Sequence, residues 1–419
     1  MEKVFASIIT IGDELLIGQV IDTNSAWMAQ ELNKIGIWVK RRVAVGDQWD
    51  EIWNALDEES KHANVILITG GLGPTADDIT KPLLCKYFGG KLVVDEKVLA
   101  HVKHLFEKVF RRPGPMLDRN LKQAEVPDVC TVLHNKAGTA PGMWFEKDGR
   151  IFISMPGVPH EMKSIMNDHV LTLLPQHFTM PAIVSRTLLT AGIGESMLAE
   201  RIKDVEEALP PHIKLAYLPN YGMVRLRLTA TGDSSDSINI EVQHWFEQLK
   251  ALVPDVLVTD VDEPLEKVVG KLLIAKNKTM STAESCTGGF VAQMITAHAG
   301  SSAYYKGSVV SYANEVKENL LHVSADTLAA HGAVSEETVK EMVQGVLTAI
   351  QTDYAVAISG IMGPGGGSLE KPVGMVWVAV GNKEKTVTQL FNFRFDRRRN
   401  IDMTAVNALN LLRKFIIEH

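Results

Sequence analysis

The stretch VILITGG at residues 65–71 completes an alternation that runs through the first part of the chain. Before it come VFASIITIG at residues 4–12, NSAWMAQELNKIG at 24–36, VKRRVAVG at 39–46 and EIWNALDEESKH at 51–62. Short β-rich segments that alternate with amphipathic helical segments are typical of βαβ units, which build a parallel sheet. The sequence therefore predicts an α/β domain with a parallel sheet at the N-terminus.

Two of the apolar segments of this domain run directly into loops rich in Gly and Pro. VILITGG is followed by LGPT, and RIFISMPG at residues 150–157 ends in Pro-Gly. Such loops lie at the carboxyl ends of strands, where open α/β sheets bind their ligands. We expect the ligand site of the first domain at that edge of the sheet.

Carboxylates follow three of the predicted strands. Asp13 follows the first strand, Asp47 the second, and Asp77 and Asp78 the third, beside the glycine-rich loop of residues 69–75. A phosphate-bearing ligand whose Mg²⁺ is held by one or two carboxylates suits such an edge. Isolated Asp residues in loops are usually caps or turn formers. The convergence of three strand ends favours a site.

The rest of the chain divides into a small module and a second α/β domain. MVRLRLTATG at residues 223–232 nearly alternates, which predicts a half-exposed strand in an α+β module. The acidic VTDVDEPLE at residues 258–266 lacks a periodic apolar face and indicates a boundary near residue 262. We predict three domains, at residues 1–172, 173–260 and 261–419.

Composition narrows the class of partner. The chain has 419 residues, a net charge of −7 and three cysteines without metal-type spacing. An acidic balance favours small-molecule partners over nucleic acid or an anionic membrane, and the cysteine usage fits a reducing cytoplasm. No apolar run reaches the roughly 20 residues that span a bilayer. We expect a cytoplasmic protein with no nucleic-acid or membrane partner.

In the last domain, TAESCTGG at residues 282–289 joins a predicted strand to a predicted helix. A helix N-terminus offers free N–H groups suited to a phosphate or an oxyanion, and Ser285 would lie beside it. An ordinary turn with Thr287 as N-cap is the structural alternative. Cys286 is a second possible nucleophile, because a thiolate is favoured near a helix N-terminus.

Two further segments of this domain carry polar or flexible residues after apolar strands. KGSVVSYANEVKENLL at residues 306–321 places Tyr312 and Lys317 at a strand end and the following turn. A desolvated lysine can accept a proton from a serine, although a lone helix lysine is more often solvated. Six glycines lie between Gly360 and Gly374, which indicates close backbone approach to a ligand or a mobile lid.

The order and spacing of TAESCTGG, SYANEVK, HGAVSEE and SGIMGPGGGSLEKPVG resemble the C-terminal domain of the CinA family, which is similar to nicotinamide-nucleotide amidases. The resemblance implies hydrolysis of nicotinamide mononucleotide to nicotinic acid mononucleotide and ammonia, with no cofactor. It implies Ser285 as nucleophile, Lys317 as base and Tyr312 as a supporting hydroxyl. The substrate-binding residues it implies are Thr287, Gly288, Gly289, Ser359 and Gly360.

The first domain resembles the molybdopterin-binding fold in its CinA version, through residues 69–80, NKAGTAPGM and MPGVPHEM. That version implies a divalent metal of the Mg or Co type and pyrophosphatase activity on ADP-ribose. The residues it implies are Asp13, Asp47 and Asp78 at the metal and Gly70, Gly71 and Thr75 at the phosphate. Pterin binding is the alternative, because one fold serves both functions.

The middle module resembles the KH-type domain of CinA proteins. Its GIGE at residues 192–195 lacks the spacing of a nucleic-acid-clamping loop, so we expect a linker or dimerisation element in a homodimer. Family members commonly carry Gly where this chain has Phe395, which leaves a substrate contact by Arg397 open. A non-enzymatic role in DNA uptake or damage response is the competing class, and it predicts salt-dependent DNA binding.

Overall fold

The computed structural model describes residues 3–75, 78–109 and 116–419, so the predicted strand-end residue Asp77 lies outside the described residues. The chain forms two compact units. One comprises Met1–Ile183 and Thr231–Ile238, and the other Val184–Ala230 and Asn239–His419. The predicted fold class is confirmed: two α/β domains are joined by a small α+β module.

The first domain is built on a six-stranded sheet and a separate pair of strands. The strands of the domain are β1 Phe5–Ile11, β2 Trp38–Val45, β3 Val65–Thr69, β4 Leu92–Val94, β5 Glu125–Pro127, β6 Thr131–Leu133, β7 Gly142–Lys147 and β8 Arg150–Met155. Its helices are α1 Asp13–Leu16, α2 Thr23–Lys34, α3 Trp49–Ser60, α4 Thr80–Tyr87, α5 Glu96–His104, α6 Asp118–Leu121, α7 Pro159–Ile165 and α8 Leu171–His177. The strand order is β2-β1-β3-β8-β7-β6, while β4 and β5 pair separately.

The expected parallel sheet is only partly right. Strands β2, β1, β3 and β8 are parallel to one another, whereas β7 is antiparallel to both of its neighbours, β8 and β6. The reason is the tight turn between β7 and β8, where Asp148 and Gly149 have φ of 50° and 71°. Such two-residue turns with positive φ join antiparallel neighbours. The parallel strands are those that precede the predicted ligand loops.

Helices cover both faces of this sheet. Alternate residues of β1 point to opposite faces, so Ile8 packs with Met28 of α2 while Ile9 packs with Leu56 of α3. Both faces are therefore apolar, and polar side chains collect at the strand ends. A sheet buried on both faces leaves its edge loops as the place for chemistry.

The middle module is a four-stranded sheet with two helices. Its elements are β9 Ala182–Ala191, α9 Glu195–Ala208, β10 Ile213–Asn220, β11 Met223–Gly232, α10 Ser235–Leu252 and β12 Leu257–Thr259, with the strand order β10-β11-β9-β12. Val224, Leu226 and Leu228 of β11 are buried, while Arg225 and Arg227 lie on the other face. The predicted half-exposed strand is confirmed.

The C-terminal domain contains a five-stranded mixed sheet. Its strands are β13 Met280–Glu284, β14 Tyr305–Val310, β15 Tyr354–Gly360, β16 Met375–Gly381 and β17 Thr386–Asn392. Its helices are α11 Leu265–Ala275, α12 Phe290–Thr296, α13 Asn314–Leu321, α14 Ala325–His331, α15 Glu336–Ile350 and α16 Arg397–Glu418. None of the helices in the described ranges is long and apolar enough to cross a membrane.

The strand order of this sheet positions the predicted active residues. The order is β14-β13-β15-β16-β17, and β13 is parallel to both of its neighbours. The residues that follow β14, β13 and β15 therefore meet at one edge of the sheet. These are Ser311, Ser285 and the glycine loop that begins after Gly360.

Gly345 offers a test of the packing of α15 against α13. A Cβ atom at this position would overlap the backbone carbonyl oxygen of Leu321, which cannot rotate away. Alanine gains about 1 kcal/mol of helix propensity, but overpacking of this kind costs about 1–3 kcal/mol or more. We expect Gly345→Ala to lower the free energy of unfolding in urea by about 2 kcal/mol. Gly365→Ala, which enters open space, is the control, and equal unfolding midpoints would contradict the packing.

Candidate active site

Ser285 and Lys317 are brought together at the edge of the C-terminal sheet. The Lys317 Nζ atom lies 3.1 Å from the Ser285 Oγ atom. Ser285 follows β13 directly, and Lys317 lies in the first turns of α13, just after β14. The lysine side chain is only 1% exposed. The alternative of a solvated surface lysine is therefore wrong.

The remaining contacts of the Lys317 amine are backbone carbonyls. Nζ donates to the carbonyl oxygen of Ser311 at 2.7 Å and lies 3.5 Å from that of Tyr312. A neutral amine has two N–H groups and one lone pair. When these carbonyls accept both N–H groups, the lone pair is left to accept from the Ser285 hydroxyl.

Burial governs the protonation of this amine. Desolvation lowers the pKa of Lys317 below that of an exposed lysine, and the nearby Cys286 only partly opposes this. No carboxylate pairs with its Nζ among the described residues. The amine is thus more easily deprotonated than an exposed lysine, as a general base requires.

Cys286 occupies a different environment from Ser285. Its side chain belongs to the apolar core, with Val291 and Met362, although part of it borders the pocket. Burial raises the pKa of the thiol to about 12, with a smaller contribution from Glu284. At neutral pH it is a thiol rather than a thiolate, so it is a poor nucleophile.

A small pocket opens beside the Ser285–Lys317 pair. Its volume is about 210 Å³, and its lining includes Tyr312, Ser359 and Gly360. The Ser359 hydroxyl donates to the carbonyl oxygen of Ala333 at 2.6 Å, which ties the end of β15 to the HGAVSEE segment. Tyr312 is 65% exposed and stands at the mouth. Four residues that the sequence placed at the site thus share one pocket with Lys317.

Arg397, whose contact the sequence left open, also lines this pocket. Its guanidinium donates to the carbonyl oxygen of Gly363 at 2.8 Å and to the Tyr312 hydroxyl oxygen at 3.3 Å. Phe395 does not block it, because the Phe395 ring lies under the guanidinium of Arg399, at 4.1 Å. Arg397 adds the positive charge that sequence reasoning did not assign.

The expectation of free N–H groups at the start of α12 is wrong. The buried carboxylate of Glu284 accepts from the N–H groups of Gly289, Val291 and Ala292, at 2.9–3.1 Å. Thr287 is not the N-cap either, since α12 begins at Phe290 with Gly289 before it. A carboxylate already fills the position that an anionic ligand would take.

Thr287, Gly288 and Gly289 shape the loop instead of lining the described pocket. The Thr287 hydroxyl donates to Glu284 at 2.7 Å. Gly288 and Gly289 have φ of 62° and 94°, a conformation that favours glycine. His331 is exposed, and its carbonyl oxygen accepts a hydrogen bond from the Lys371 amine.

In the first domain, two of the three predicted metal ligands lie together. The N–H of Asp13 donates to the Asp47 carboxylate at 3.1 Å, and the N–H of Asp47 donates to the Asp13 carboxylate at 3.3 Å. Asp78 instead accepts from the N–H groups of Gly73 and Thr75, at 2.7 and 2.9 Å. Within the described ranges, no three His, Cys, Asp or Glu side chains are grouped to hold a metal. The predicted trio does not fit a three-ligand site, whereas the Asp13–Asp47 pair suits Mg²⁺, which keeps several waters.

The glycine loops of the first domain meet at the expected edge. Gly70 has a φ of 118°, and a Cβ atom there would overlap the carbonyl oxygen of Ile11. Gly71 has a φ of 62°, and a Cβ atom there would overlap the side-chain hydroxyl of Thr80. Asn24 donates to the carbonyl oxygen of Gly157 at 2.7 Å, while its own Oδ1 is buried and has no hydrogen-bond partner among the described residues. Such an acceptor suits a donor from a ligand or a water.

A larger cleft, of about 670 Å³, lies between the middle module and the start of α16. The GIGE segment, the turn between β10 and β11, and Arg398 and Arg399 line it. None of the described residues that line it is a serine, threonine, cysteine or lysine. The smaller pocket, where burial perturbs a lysine next to a serine, is therefore the better candidate for chemistry.

Three family models match the chain in succession. The model described as "Probable molybdopterin binding domain" matches residues 7–176. "Damage-inducible protein CinA KH domain" matches residues 185–257, and "CinA C-terminal domain" matches residues 262–416. Fold and site thus define a class of protein: a molybdopterin-binding-like domain and a KH module that precede a C-terminal domain with a buried serine–lysine contact.

Full-length relatives make the family plain. A CinA-like protein of Cytophaga hutchinsonii is 48% identical over 418 residues, covering 99% of each chain. A CinA-like protein of Chloroherpeton thalassium is 42% identical, covering 98% of this chain and 99% of the relative. A solved structure, competence damage-inducible protein A (ComA) from Klebsiella pneumoniae, is 40% identical and covers 36% of this chain and 93% of its own, with a TM-score of 0.35. The chain belongs to the CinA family.

Proposed function

We propose that the C-terminal domain hydrolyses the carboxamide of nicotinamide mononucleotide to the carboxylate and ammonia. The observation that carries the proposal is the buried contact between the Lys317 amine and the Ser285 hydroxyl. Amide hydrolysis needs a nucleophile and a group that takes and returns its proton. A desolvated lysine beside a serine supplies both functions without histidine.

The steps of the reaction follow from the contacts of Lys317. The neutral amine takes the Ser285 proton while Oγ bonds to the carboxamide carbon, whose oxygen becomes an oxyanion. On collapse, the C–N bond breaks and the Lys317 ammonium returns the proton to the leaving nitrogen, which departs as ammonia. Water, deprotonated by the same amine, then cleaves the acyl ester and frees Ser285.

Tyr312 and Arg397 are placed to hold the substrate. Because Arg397 donates to the Tyr312 oxygen, the phenol hydrogen is free to donate to the carboxamide oxygen. The Arg397 guanidinium lies at the exposed rim, where it can pair with the 5′-phosphate. Ser359 and Gly360 close the pocket from the end of β15.

Variants of the two candidate nucleophiles and the base test the amidase. We expect ammonia release from nicotinamide mononucleotide, with EDTA present, to fall about 10⁴-fold or more in Ser285→Ala. In Lys317→Ala it should fall about 10²–10⁴-fold, because the proton acceptor is lost. Cys286→Ala should retain most of the activity, since the thiol is buried and protonated.

Other outcomes of this assay would point elsewhere. Loss of activity in Cys286→Ala alone would make the thiol the nucleophile. A wild-type chain that releases no ammonia but binds DNA in a salt-dependent way would support the non-enzymatic role in DNA uptake or damage response.

The pH profile tests the role of Lys317 directly. The base is active when neutral, so kcat/KM should rise with pH and level off above the pKa of Lys317 in the free protein. Burial lowers that pKa, so the midpoint should lie below the 10.5 of an exposed lysine. Initial rates from about pH 6 to about pH 10 give the profile. A rate that is constant or falls over this range would contradict a lysine base.

We propose a second activity for the first domain, metal-dependent hydrolysis of the diphosphate of ADP-ribose. The Oδ1 of Asn24, which has no hydrogen-bond partner among the described residues and lies beside Gly157, supports a ligand at this edge. Asp13 and Asp47 would hold the divalent ion, which would stabilise charge on the diphosphate. In the loop of residues 70–75, the N–H groups of Gly71 and Leu72 would bind phosphate, because those of Gly70, Gly73 and Thr75 donate to Met155 and Asp78. Pterin binding is the competing function of the same fold.

Substitutions in the carboxylate pair separate these two possibilities. With Mg²⁺ or Co²⁺ present, we expect Asp13→Asn and Asp47→Asn each to lower ADP-ribose turnover at least about tenfold. Asp148→Asn, in the β7–β8 turn, is the matched control, because Asn tolerates its positive φ. If the wild type binds molybdopterin in a titration and does not turn over ADP-ribose, the domain is a pterin-binding domain instead.

A further inference from the structure

Glu284 is a buried carboxylate that directly precedes the candidate nucleophile. It is the last residue of β13 and its side chain is 0% exposed. Its Oε2 accepts from the Thr287 hydroxyl at 2.7 Å and from the N–H groups of Gly289 and Val291 at 3.1 and 3.0 Å. Its Oε1 accepts from the N–H of Ala292 at 2.9 Å and from the Thr282 hydroxyl at 3.3 Å. The start of α12, which follows Ser285 in the chain, is thus hydrogen-bonded to Glu284, which precedes Ser285.

Every one of these partners is a hydrogen-bond donor. The two oxygens of a Glu side chain can accept from all of them, whereas the NH₂ group of an amide can accept from none. The Glu284 carboxyl is therefore held through both oxygens, which fixes its orientation although it is buried.

The contacts of Glu284 close a short loop around Ser285. Residues 285–289 leave the strand at Glu284 and return to its carboxylate through Thr287 and Gly289. Within this loop, the N–H of Ser285 donates to the carbonyl oxygen of Ile358 at 3.0 Å, and the N–H of Gly288 donates to the carbonyl oxygen of Ser285 at 3.2 Å. The backbone of Ser285 is held on both sides, while its Oγ is left for Lys317.

We propose that Glu284 is the positioning residue of the serine–lysine site: its carboxylate holds the loop of residues 285–289 so that Ser285 Oγ stays within reach of Lys317 Nζ. The inference rests on the proposed amidase function. Glu284 is not itself a catalytic residue, because its oxygens face the start of α12 rather than the pocket. It acts through Ser285.

Substitutions at Glu284 and Thr287 should have graded effects. Glu284→Gln keeps the size but places an NH₂ group against N–H donors, so the loop must shift. Glu284→Asp keeps the charge on a shorter side chain and should rescue part of the activity. Thr287→Val removes one donor and leaves the three backbone contacts, so its effect should be smaller than that of Glu284→Gln.

The experiment measures the reactivity of Ser285 separately from amide turnover. The full-length chain and its variants are treated with a serine-directed fluorophosphonate, and mass spectrometry gives the rate constant and the final fraction of labelled Ser285. Ammonia release gives kcat and KM for nicotinamide mononucleotide. Glu59→Gln is the matched control, because Glu59 is also a buried carboxylate, 1% exposed, but lies in the first domain.

We expect Glu284→Gln to lower both the labelling rate constant and kcat about a hundredfold, with KM little changed, since a displacement of about 1 Å has that effect. Glu59→Gln should leave both unchanged. A merely structural role would lower the melting temperature and the labelled fraction without changing the rate constant of the folded molecules, and that result would overturn the proposal.

The two proposals can fail separately. If wild-type Ser285 is labelled but no ammonia is released, the amidase substrate is wrong, and the labelling rates of the variants still decide the role of Glu284. If ammonia is released by the wild type and by Glu284→Gln at equal kcat, the amidase stands and the positioning role is overturned. If wild-type Ser285 is not labelled and no ammonia appears, both proposals are overturned.

Discussion

The buried amine of Lys317 is the constraint on which the C-terminal domain depends. An amine without a carboxylate partner is costly to bury in its charged form, and its pKa falls accordingly. The fold meets this cost with two backbone carbonyls and one serine hydroxyl. The carbonyl oxygens of Ser311 and Tyr312 stabilise the buried Lys317 amine. By accepting its N–H groups, they also leave its lone pair directed at Ser285.

The sheet order supplies these surroundings. Because β13 lies between β14 and β15, the chain leaving β13 is flanked by the chain leaving each neighbour. One neighbour contributes the carbonyls that accept from Lys317, and the other contributes Ser359 and Gly360. A hairpin order would have separated these segments. Parallel strands bring three strand ends to one edge, which is why the candidate site lies at this edge.

Both α/β domains place carboxylates at their strand ends, but the carboxylate is buried in the C-terminal domain and accessible in the first domain. In the C-terminal domain, the Glu284 side chain accepts hydrogen bonds from the start of α12 and does not line the pocket. The basic groups that line the pocket are those of Lys317 and Arg397. In the first domain, Asp13 and Asp47 remain at the edge and engage each other's backbone. The proposed amidase would use the first arrangement as nucleophile and base, and the proposed second activity would use the second to hold a cation.

The sequence by itself determined the α/β class, the half-exposed strand β11 and the set of segments that line the pocket, because these depend on local periodicity and on residue types at strand ends. It could not separate Ser285 from Cys286, predict a buried Lys317 or assign Arg397. The TAESCTGG segment contained Glu284, but nothing in its spacing showed that this carboxylate would occupy the helix N-terminus. The contacts of Ser285 with Lys317 and of Arg397 with Tyr312 were decided by tertiary structure, since they join residues tens of positions apart that only the packing of the strands brings together. The contacts of Glu284 are local, but they depend on the φ values of the loop and on burial, which the sequence does not show.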